Sequence, residues 1–376
     1  MSPFEGVSNT QEQPSQPLRG DIAVIELGDA HVECIFSQLL FLRRGGYRTH
    51  LLCSEQLRGH VSAFAPVDHL AFFHPGDDFA EHWKCVFAVR HYLKAHNIGT
   101  VVFNTAGGNH TRDICAVAPL HTMLAGVIHH THKLRGSFTQ FLISLRMRRA
   151  FVLNDYLLDG IPAGYRTHIE SIYLIFREPV EEEPVIKNPG ELWIAVPGVV
   201  DFRRRDYEGL IDELKTRGPL DASVRFILLG ECNRHHGDGH TLRELIAEAG
   251  LDRFVVLFDS VVKQRTFFSY LMQCDALLPL IHPATHFFGF YREHQISGTY
   301  NLAFGFAKPL LLHDALRGPE DFEVSAFFYG KGALVALLNG LTVHREERQA
   351  VEDRIRSCAK FSFERQCRTY LQLLER

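Results

Sequence analysis

From Asp21 onward the chain alternates short apolar runs with longer stretches whose apolar residues recur at helical spacing. Ile22 to Ile25 reads as a strand, and Leu27-Gly28-Asp29-Ala30-His31 as a turn, with Asp29 placed to cap the next helix. Val32, Ile35, Phe36, Leu39 and Leu40 then share one helical face, Gly45-Gly46 stops the helix, and Tyr47 to Cys53 is the next strand. Such a unit carries a parallel crossover. Val67 to Phe73, Thr100 to Asn104, Gly126 to His130, Ala150 to Leu153 and Ser171 to Phe176 continue the strands, with a helix from Ala80 to His96. Thr105 to His110 reads as a loop that either wraps a ligand or simply turns. Six or seven strands with helices between them predict a doubly wound sheet.

Arg177 to Gly190 holds three prolines and an acidic run and reads as a linker. A second alternating set lies beyond it. Its strands are Leu192 to Val196, Val224 to Leu229, Phe254 to Phe258 and Ala276 to Leu280. Its helices run from Asp206 to Lys215, from a capping-box pattern at Thr241 to Gly250, and from Arg265 to Cys274. Arg345 to Arg376 reads as helix to the end. The expected organisation is a disordered tail at 1–20, an N-terminal domain at 21–180, a linker at 181–190, a C-terminal domain at 191–345 and a helical segment at 346–376.

Tyr291 to Leu312 is the stretch with the most chemistry. Ser297-Gly298-Thr299 opens an apolar helix, Lys308-Pro309 ends it, and Leu310 to Leu312 reads as a buried strand. Ser297 is a good N-cap, Gly298 admits a close neighbour, and the free amides with the helix dipole suit an anion such as a diphosphate. The same residues also read as a core helix and strand without a ligand.

Composition narrows the class. A chain of 376 residues favours two domains, and 46% hydrophobic with 22% charged residues is globular. A net charge of −4 disfavours nucleic-acid binding driven by bulk charge. Eight cysteines without a C-x-x-C pair fit reduced thiols and a cytoplasmic location. No apolar run has membrane-spanning length, and the N-terminus lacks a signal-peptide pattern. In residues 137–149, Phe138, Phe141, Leu142 and Leu145 make an apolar face amid Lys133, Arg135, Arg146, Arg148 and Arg149. This reads either as a half-buried helix with solvated basic ends or as a helix on an anionic membrane surface. In a strand, His130 and His132 would face one way and His129 the other, and two ligands make no structural zinc site. His235, His236 and His240 read as a solvated loop.

Taken in order, VPGVVDFRRRDYEGL, RFILLGE, VVLFDS, QCDALLPL, SGTYNLAFGFAKPLLL and FSFERQCRTYLQLLER form a set that resembles the GT-B glycosyltransferases, the family 4 type in particular. The resemblance spans roughly residues 21 to 376, though the first half matches in architecture more than in motif. It implies two Rossmann-like doubly wound domains facing across a cleft. It also implies transfer of a sugar from a nucleotide-sugar donor to a glycan or lipid-linked acceptor, as in bacterial surface-polysaccharide or glycoconjugate synthesis. On that resemblance the donor diphosphate meets Ser297, Gly298 and Thr299, with Arg203 and Arg204 neutralising it. Gly230 lets the backbone approach the donor, Gly28 faces donor phosphate or acceptor, and Glu293 stands near the family's first glutamate. His130 or His132 resembles the histidine that faces the reacting sugar. Asp29 and His31 are candidates for an acceptor base. The nucleotide sugar is a co-substrate, with no other cofactor and no metal expected.

The departures are specific. Leu302 stands where the family carries its second glutamate, and Val199 where the basic loop begins. They leave the stereochemistry open and make a catalytically weak nucleotide- or partner-binding protein the alternative. A nucleotide-sugar epimerase is a third option, without evident cleft acids and bases to support it.

Overall fold

The computed structural model describes residues 19–376 except 63, 65, 180 and 182. Most of the expected tail therefore lies outside the described residues. The described chain divides into two compact units. The N-terminal unit holds residues up to Glu178 together with Glu293–Gln295 and Ser362–Arg376; the C-terminal unit holds Pro179–Arg292 and Ile296–Phe361.

The sheet of the N-terminal unit has strands β1 (Asp21–Glu26), β2 (Arg48–Ser54), β3 (His69–Phe73), β4 (Thr100–Phe103), β5 (Met123–Ile128), β6 (Arg149–Leu153) and β7 (His168–Ile172). All pairs are parallel, in the order 3-2-1-4-5-6-7. The order reverses between β1 and β4, where open α/β sheets place ligands at their carboxyl edge. Its helices are α1 (Ile35–Arg44), α2 (Arg58–Val61), α3 (Phe79–Ala95), α4 (Gly108–Val117) and α5 (Phe138–Arg146).

The second sheet has β8 (Leu192–Pro197), β9 (Val224–Glu231), β10 (Val255–Phe258), β11 (Ala276–Leu277), β12 (Leu310–His313) and β13 (Ala326–Tyr329), parallel in the order 10-9-8-11-12-13. The helices from Pro179 onward are α6 (Tyr207–Thr216), α7 (Gly237–Glu248), α8 (Gln264–Gln273), α9 (Phe288–Glu293), α10 (Gly298–Phe306), α11 (Glu320–Ser325), α12 (Leu334–Val343) and α13 (Arg345–Ser357). The chain closes with α14 (Phe363–Glu375). Strand β8 shows no alternation of polar and apolar residues because both its faces are covered: it is buried at every position, as a central parallel strand should be.

Several local expectations need correction. Asp29 caps no helix: it is exposed in a bend, and His31, in the left-handed region at φ 62, precedes a 3-10 turn at Val32–Cys34. α1 is buried on more than its predicted stripe because α14 returns to it, packing Tyr370 and Phe363 against Phe41 at ring distances of 5.4 and 5.5 Å. Helix α7 starts at Gly237, so Thr241 is interior and His240 is helical. The loop at Thr105 runs directly into α4, with Gly108 at φ +85. β5 ends at Ile128, so strand alternation does not order the histidines after it. Arg345 to Arg376 is two helices, broken near Ser357. The segment around 183–188 is bonded to the C-terminal unit: Glu183 N–H donates to Ser269 Oγ (2.9 Å) and Lys187 pairs with Asp275 (2.5 Å).

Helix α5 turns the opposite way from its predicted burial. Gln140, Ile143 and Ser144 face the core, while Phe138 is 73% exposed and Phe141 46%. Of the basic residues around it, Arg146 and Arg149 donate to the carbonyls of Pro119 and Leu374, leaving Lys133, Arg135 and Arg148 exposed.

Candidate functional site

In the C-terminal unit the chemistry gathers at the carboxyl edge of the sheet. Ser297 caps α10 by accepting from Thr299 N–H at 3.4 Å. Gly298 is exposed, and a Cβ built there would meet nothing within 4 Å. Behind it, Thr299 and Tyr300 are buried, yet neither hydroxyl has a hydrogen-bond partner, nor has the side-chain oxygen of Asn301. Burial holds the Tyr300 hydroxyl far above the usual phenol range. Three consecutive side chains with unsatisfied polar atoms are unusual in a helix's first turn, since buried polar groups normally find partners.

The loop after β8 brings two guanidinium groups to the same unit. Arg203 and Arg204 are exposed; they lie 3.9 and 3.2 Å from Asp201 and 5.5 and 5.8 Å from the Phe287 ring. Arg205 points inward instead, donating to the carbonyls of Pro197 and Pro279. Gly198, at φ +104, starts this loop, and a Cβ on Gly230 would overlap its carbonyl oxygen. Gly230, near the end of β9, is thus required for the close approach of that strand to the arginine loop, whatever else binds near it.

In the N-terminal unit, Glu26 is 3% exposed at the end of β1. Its carboxylate accepts from Gly28 N–H (2.7 Å), Asn104 Nδ2 (2.7 Å) and Thr105 Oγ1 (2.6 Å). Three donors stabilise a buried anion and fix the Gly28 turn. Gly28, Thr105, Gly108 and His110 border a cavity of about 200 Å³. Beside it, His31 lies 3.5 Å from Glu33 and stacks on His129, whose Nε2 donates to the Asn104 carbonyl at 2.8 Å. A carboxylate–imidazole pair of this kind can take up a proton, which Asp29 in its solvated bend is less well placed to do.

His130 and His132 stand in the turn after β5, ring centroids 5.7 Å apart. Burial and the neighbouring Lys133 push His130 down to about 4, so it is neutral at pH 7, and its Nδ1 is buried without a partner. His132 is shifted down by the same two causes. Glu293–Gln295 belongs to this unit: Thr131 N–H donates to His294 O (2.9 Å), and Tyr156 Oη to Gln295 O (3.0 Å). His294 lies 5.9 Å from His132. Glu293 itself is exposed at the end of α9, with its carbonyl against Gly160. Among the described residues, no group of three or more His, Cys, Asp or Glu side chains could hold a metal ion.

Glu26, Glu33, Asn104 and His294 are not among the candidates that the sequence suggests. Glu26 is hidden there as the last residue of an apolar strand; only the turn of β1 into Gly28 shows that its side chain reaches back. Leu302, at the second-glutamate position, is half-buried on α10.

The chain superposes on solved structures over nearly its whole length. Anabaena HepE in complex with UDP gives a TM-score of 0.66 at 12% identity, over 94% of this chain and 99% of that one. A glycosyltransferase from Rickettsia africae gives 0.66 at 12% identity, over 96% and 100%. The fold is GT-B. The UDP-GlcNAc 2-epimerase of Methanocaldococcus jannaschii shares this GT-B arrangement of strands and helices at a TM-score of 0.53 and 11% identity, over 94% and 99%. No family model and no curated protein matches the sequence. At these identities the likeness establishes the GT-B fold and no activity.

Proposed function

We propose that this GT-B chain is a glycosyltransferase of the family 4 type that moves a sugar from a nucleotide-sugar donor to a glycan or lipid-linked acceptor in bacterial surface-polysaccharide or glycoconjugate synthesis. The observation that carries the reading is the first turn of α10, where Gly298 is exposed and the buried polar atoms of Thr299, Tyr300 and Asn301 behind it have no partner. An oxyanion there would meet the positive end of the helix dipole. Arg203 and Arg204 add the charge that a departing diphosphate needs. In the transfer, the acceptor oxygen bonds to the anomeric carbon. The bond from that carbon to the diphosphate oxygen breaks, and its electron pair leaves with the nucleoside diphosphate. The acceptor proton passes to a base, for which His31 with Glu33 is our candidate. His130, neutral at pH 7, is assigned to the reacting sugar.

A second reading, a nucleotide binder with little turnover, is favoured by one residue: Leu302 offers no carboxylate to a ribose. An epimerase would share the fold and the donor site. A panel of UDP-, GDP- and TDP-sugars screened by thermal shift, followed by product analysis, separates these. Stabilisation with nucleoside diphosphate release supports transfer; stabilisation alone supports the binder; an altered sugar still bound to its nucleotide supports the epimerase. No stabilisation by any of them removes the proposal.

We also assign the exposed Phe138 and Phe141, with Lys133, Arg135 and Arg148, to contact with an anionic membrane at its cytoplasmic face. No helix among the described residues is long and apolar enough to cross a membrane. Co-sedimentation with phosphatidylglycerol vesicles that survives F138S/F141S would remove this assignment.

A further inference from the structure

The carboxyl edge of the second sheet contains a polar chain that the proposed transfer does not use. Asp206 caps α6, its Oδ1 accepting from Gly209 N–H at 2.9 Å. Its Oδ2 accepts from His282 Nδ1 at 2.6 Å. A carboxylate can only accept, so Nδ1 carries a proton; in the neutral ring Nε2 then accepts from the Tyr329 hydroxyl, 2.7 Å away. His282 is 8% exposed and Tyr329 3%. His313 packs against both rings, at 5.3 and 6.0 Å, while its own Nδ1 accepts from Ala315 N–H.

Asp206 lies on the loop following β8 and His282 on the loop following β11, while His313 and Tyr329 are the last residues of β12 and β13. The loop after β8 is the arginine loop. Its end is tied to the loop after β11 three times: Asp206 N–H donates to Leu280 O (2.9 Å), Arg205 donates to Pro279 O (2.7 Å), and Asp206 holds His282. Leu280 is fully buried at φ 55, a backbone region that a leucine rarely occupies. Strain of this kind persists only where the surroundings over-determine it. An N-cap needs only one side-chain oxygen, so the second oxygen of Asp206 is surplus to helix capping. Arg203 and Arg204 are exposed and their side chains pair with Asp201 of the same loop; the loop is tied to its neighbours at Phe202, whose N–H donates to Asp238, at Arg203, whose carbonyl accepts from Phe287 N–H, and most densely in the stretch immediately after Arg204.

We propose that Asp206 and His282 are positioning residues that hold the Arg203–Arg204 loop in the conformation that receives a diphosphate, with Tyr329 setting the orientation of the imidazole. The inference deepens the donor-site reading above and rests on it for the identity of the ligand.

The test uses Asp206→Ser, which keeps an N-cap oxygen but cannot also hold His282, and His282→Ala. His282→Asn is the conservative variant: its amide nitrogen replaces Nδ1 towards Asp206 without reaching Tyr329. Hydrogen exchange of residues 199–205 and calorimetric titration with UDP and GDP are measured on the full chain. With a turned-over donor, KM and kcat are separated. We expect Asp206→Ser and His282→Ala to speed exchange in 199–205 and to weaken the diphosphate, or raise donor KM, by about tenfold, with kcat within about twofold. His282→Asn should stay near wild type in both. Unchanged exchange in 199–205, or a His282→Asn variant as impaired as His282→Ala, overturns the assignment. If the wild type binds neither nucleotide, the donor-site reading fails, and exchange alone decides whether the loop is held this way. Should His282→Ala not fold, Asp206→Ser and His282→Asn still decide the question.

Discussion

His31 stacks face to face on His129, with ring centroids 3.7 Å apart and planes 18° from parallel. Two imidazolium ions would not tolerate that spacing in a buried site. Burial, and then the charge of His31, lower His129 to about 3. His31 in turn sits in left-handed backbone, a conformation held by the Asn104 amide on its carbonyl at 3.0 Å.

That arrangement sets the acid limb of the stability curve. A histidine whose folded pKa lies below the ordinary 6.5 binds fewer protons in the native state than in the unfolded chain between the two values. Its contribution is complete above pH 6.5 and is lost as pH falls toward about 3 for His129 and about 4 for His50 and His130. Stability should therefore drop on acidification by up to ~1.4 kcal/mol per pH unit for each such group. Urea melts from pH 7.5 to pH 4 measure it, and His129→Gln should flatten the slope.

Arg204→Ala should weaken donor binding by ~1.5–3 kcal/mol, the range of a hydrogen bond to a charged group, and leave the melting temperature nearly unchanged. Its guanidinium is more than half exposed and meets Asp201 and the Phe287 face, so folding gains little from it. Titration of the donor against both proteins checks this; an unaltered affinity means that the loop serves another ligand.

Thr299→Val should move stability and affinity in opposite directions. Removing a buried hydroxyl that has no partner relieves a desolvation penalty of about 1–3 kcal/mol, while a bound diphosphate loses a donor. A variant that melts higher and binds the donor more weakly is the expected result. One that melts lower shows that the hydroxyl is satisfied within the fold.

Asn154 follows β6 at φ 68 and ψ 150, fully buried, with neither side-chain amide atom partnered. That backbone region suits glycine almost alone, and holding another residue there costs about 1–3 kcal/mol. Asn154→Gly should raise the melting temperature despite glycine's larger unfolded-state entropy. A fall would mean that the asparagine side chain contributes packing worth more than the backbone strain it brings.

Gly230→Ala should lower stability by roughly 1–3 kcal/mol, because the new methyl on β9 would press on the Gly198 carbonyl and force the arginine loop away from the strand. Chemical denaturation measures the loss. Donor affinity should fall with it, since the displaced loop carries Arg203 and Arg204.

The sequence determined what is local. Alternating apolar runs specified strands buried on both faces, and the spacing of helices between them specified parallel crossovers; hence the first sheet and the second sheet up to β12 were legible in the chain itself, while β13 was not. Ser297 as a cap followed from its hydroxyl and from the apolar helix after it. Tertiary packing decided which face each helix buries and which polar residues meet. Periodicity marks an apolar stripe but not its direction, so α5 turned Phe138 and Phe141 outward once Gln140 and Ser144 were taken inside. Glu26 with Asn104, His31 with His129, and Asp206 with His282 and Tyr329 each join residues far apart in the chain, at strand ends brought together only when the sheet forms. Such contacts depend on strand order, and strand order is set by the packing of whole layers rather than by any short window of residues.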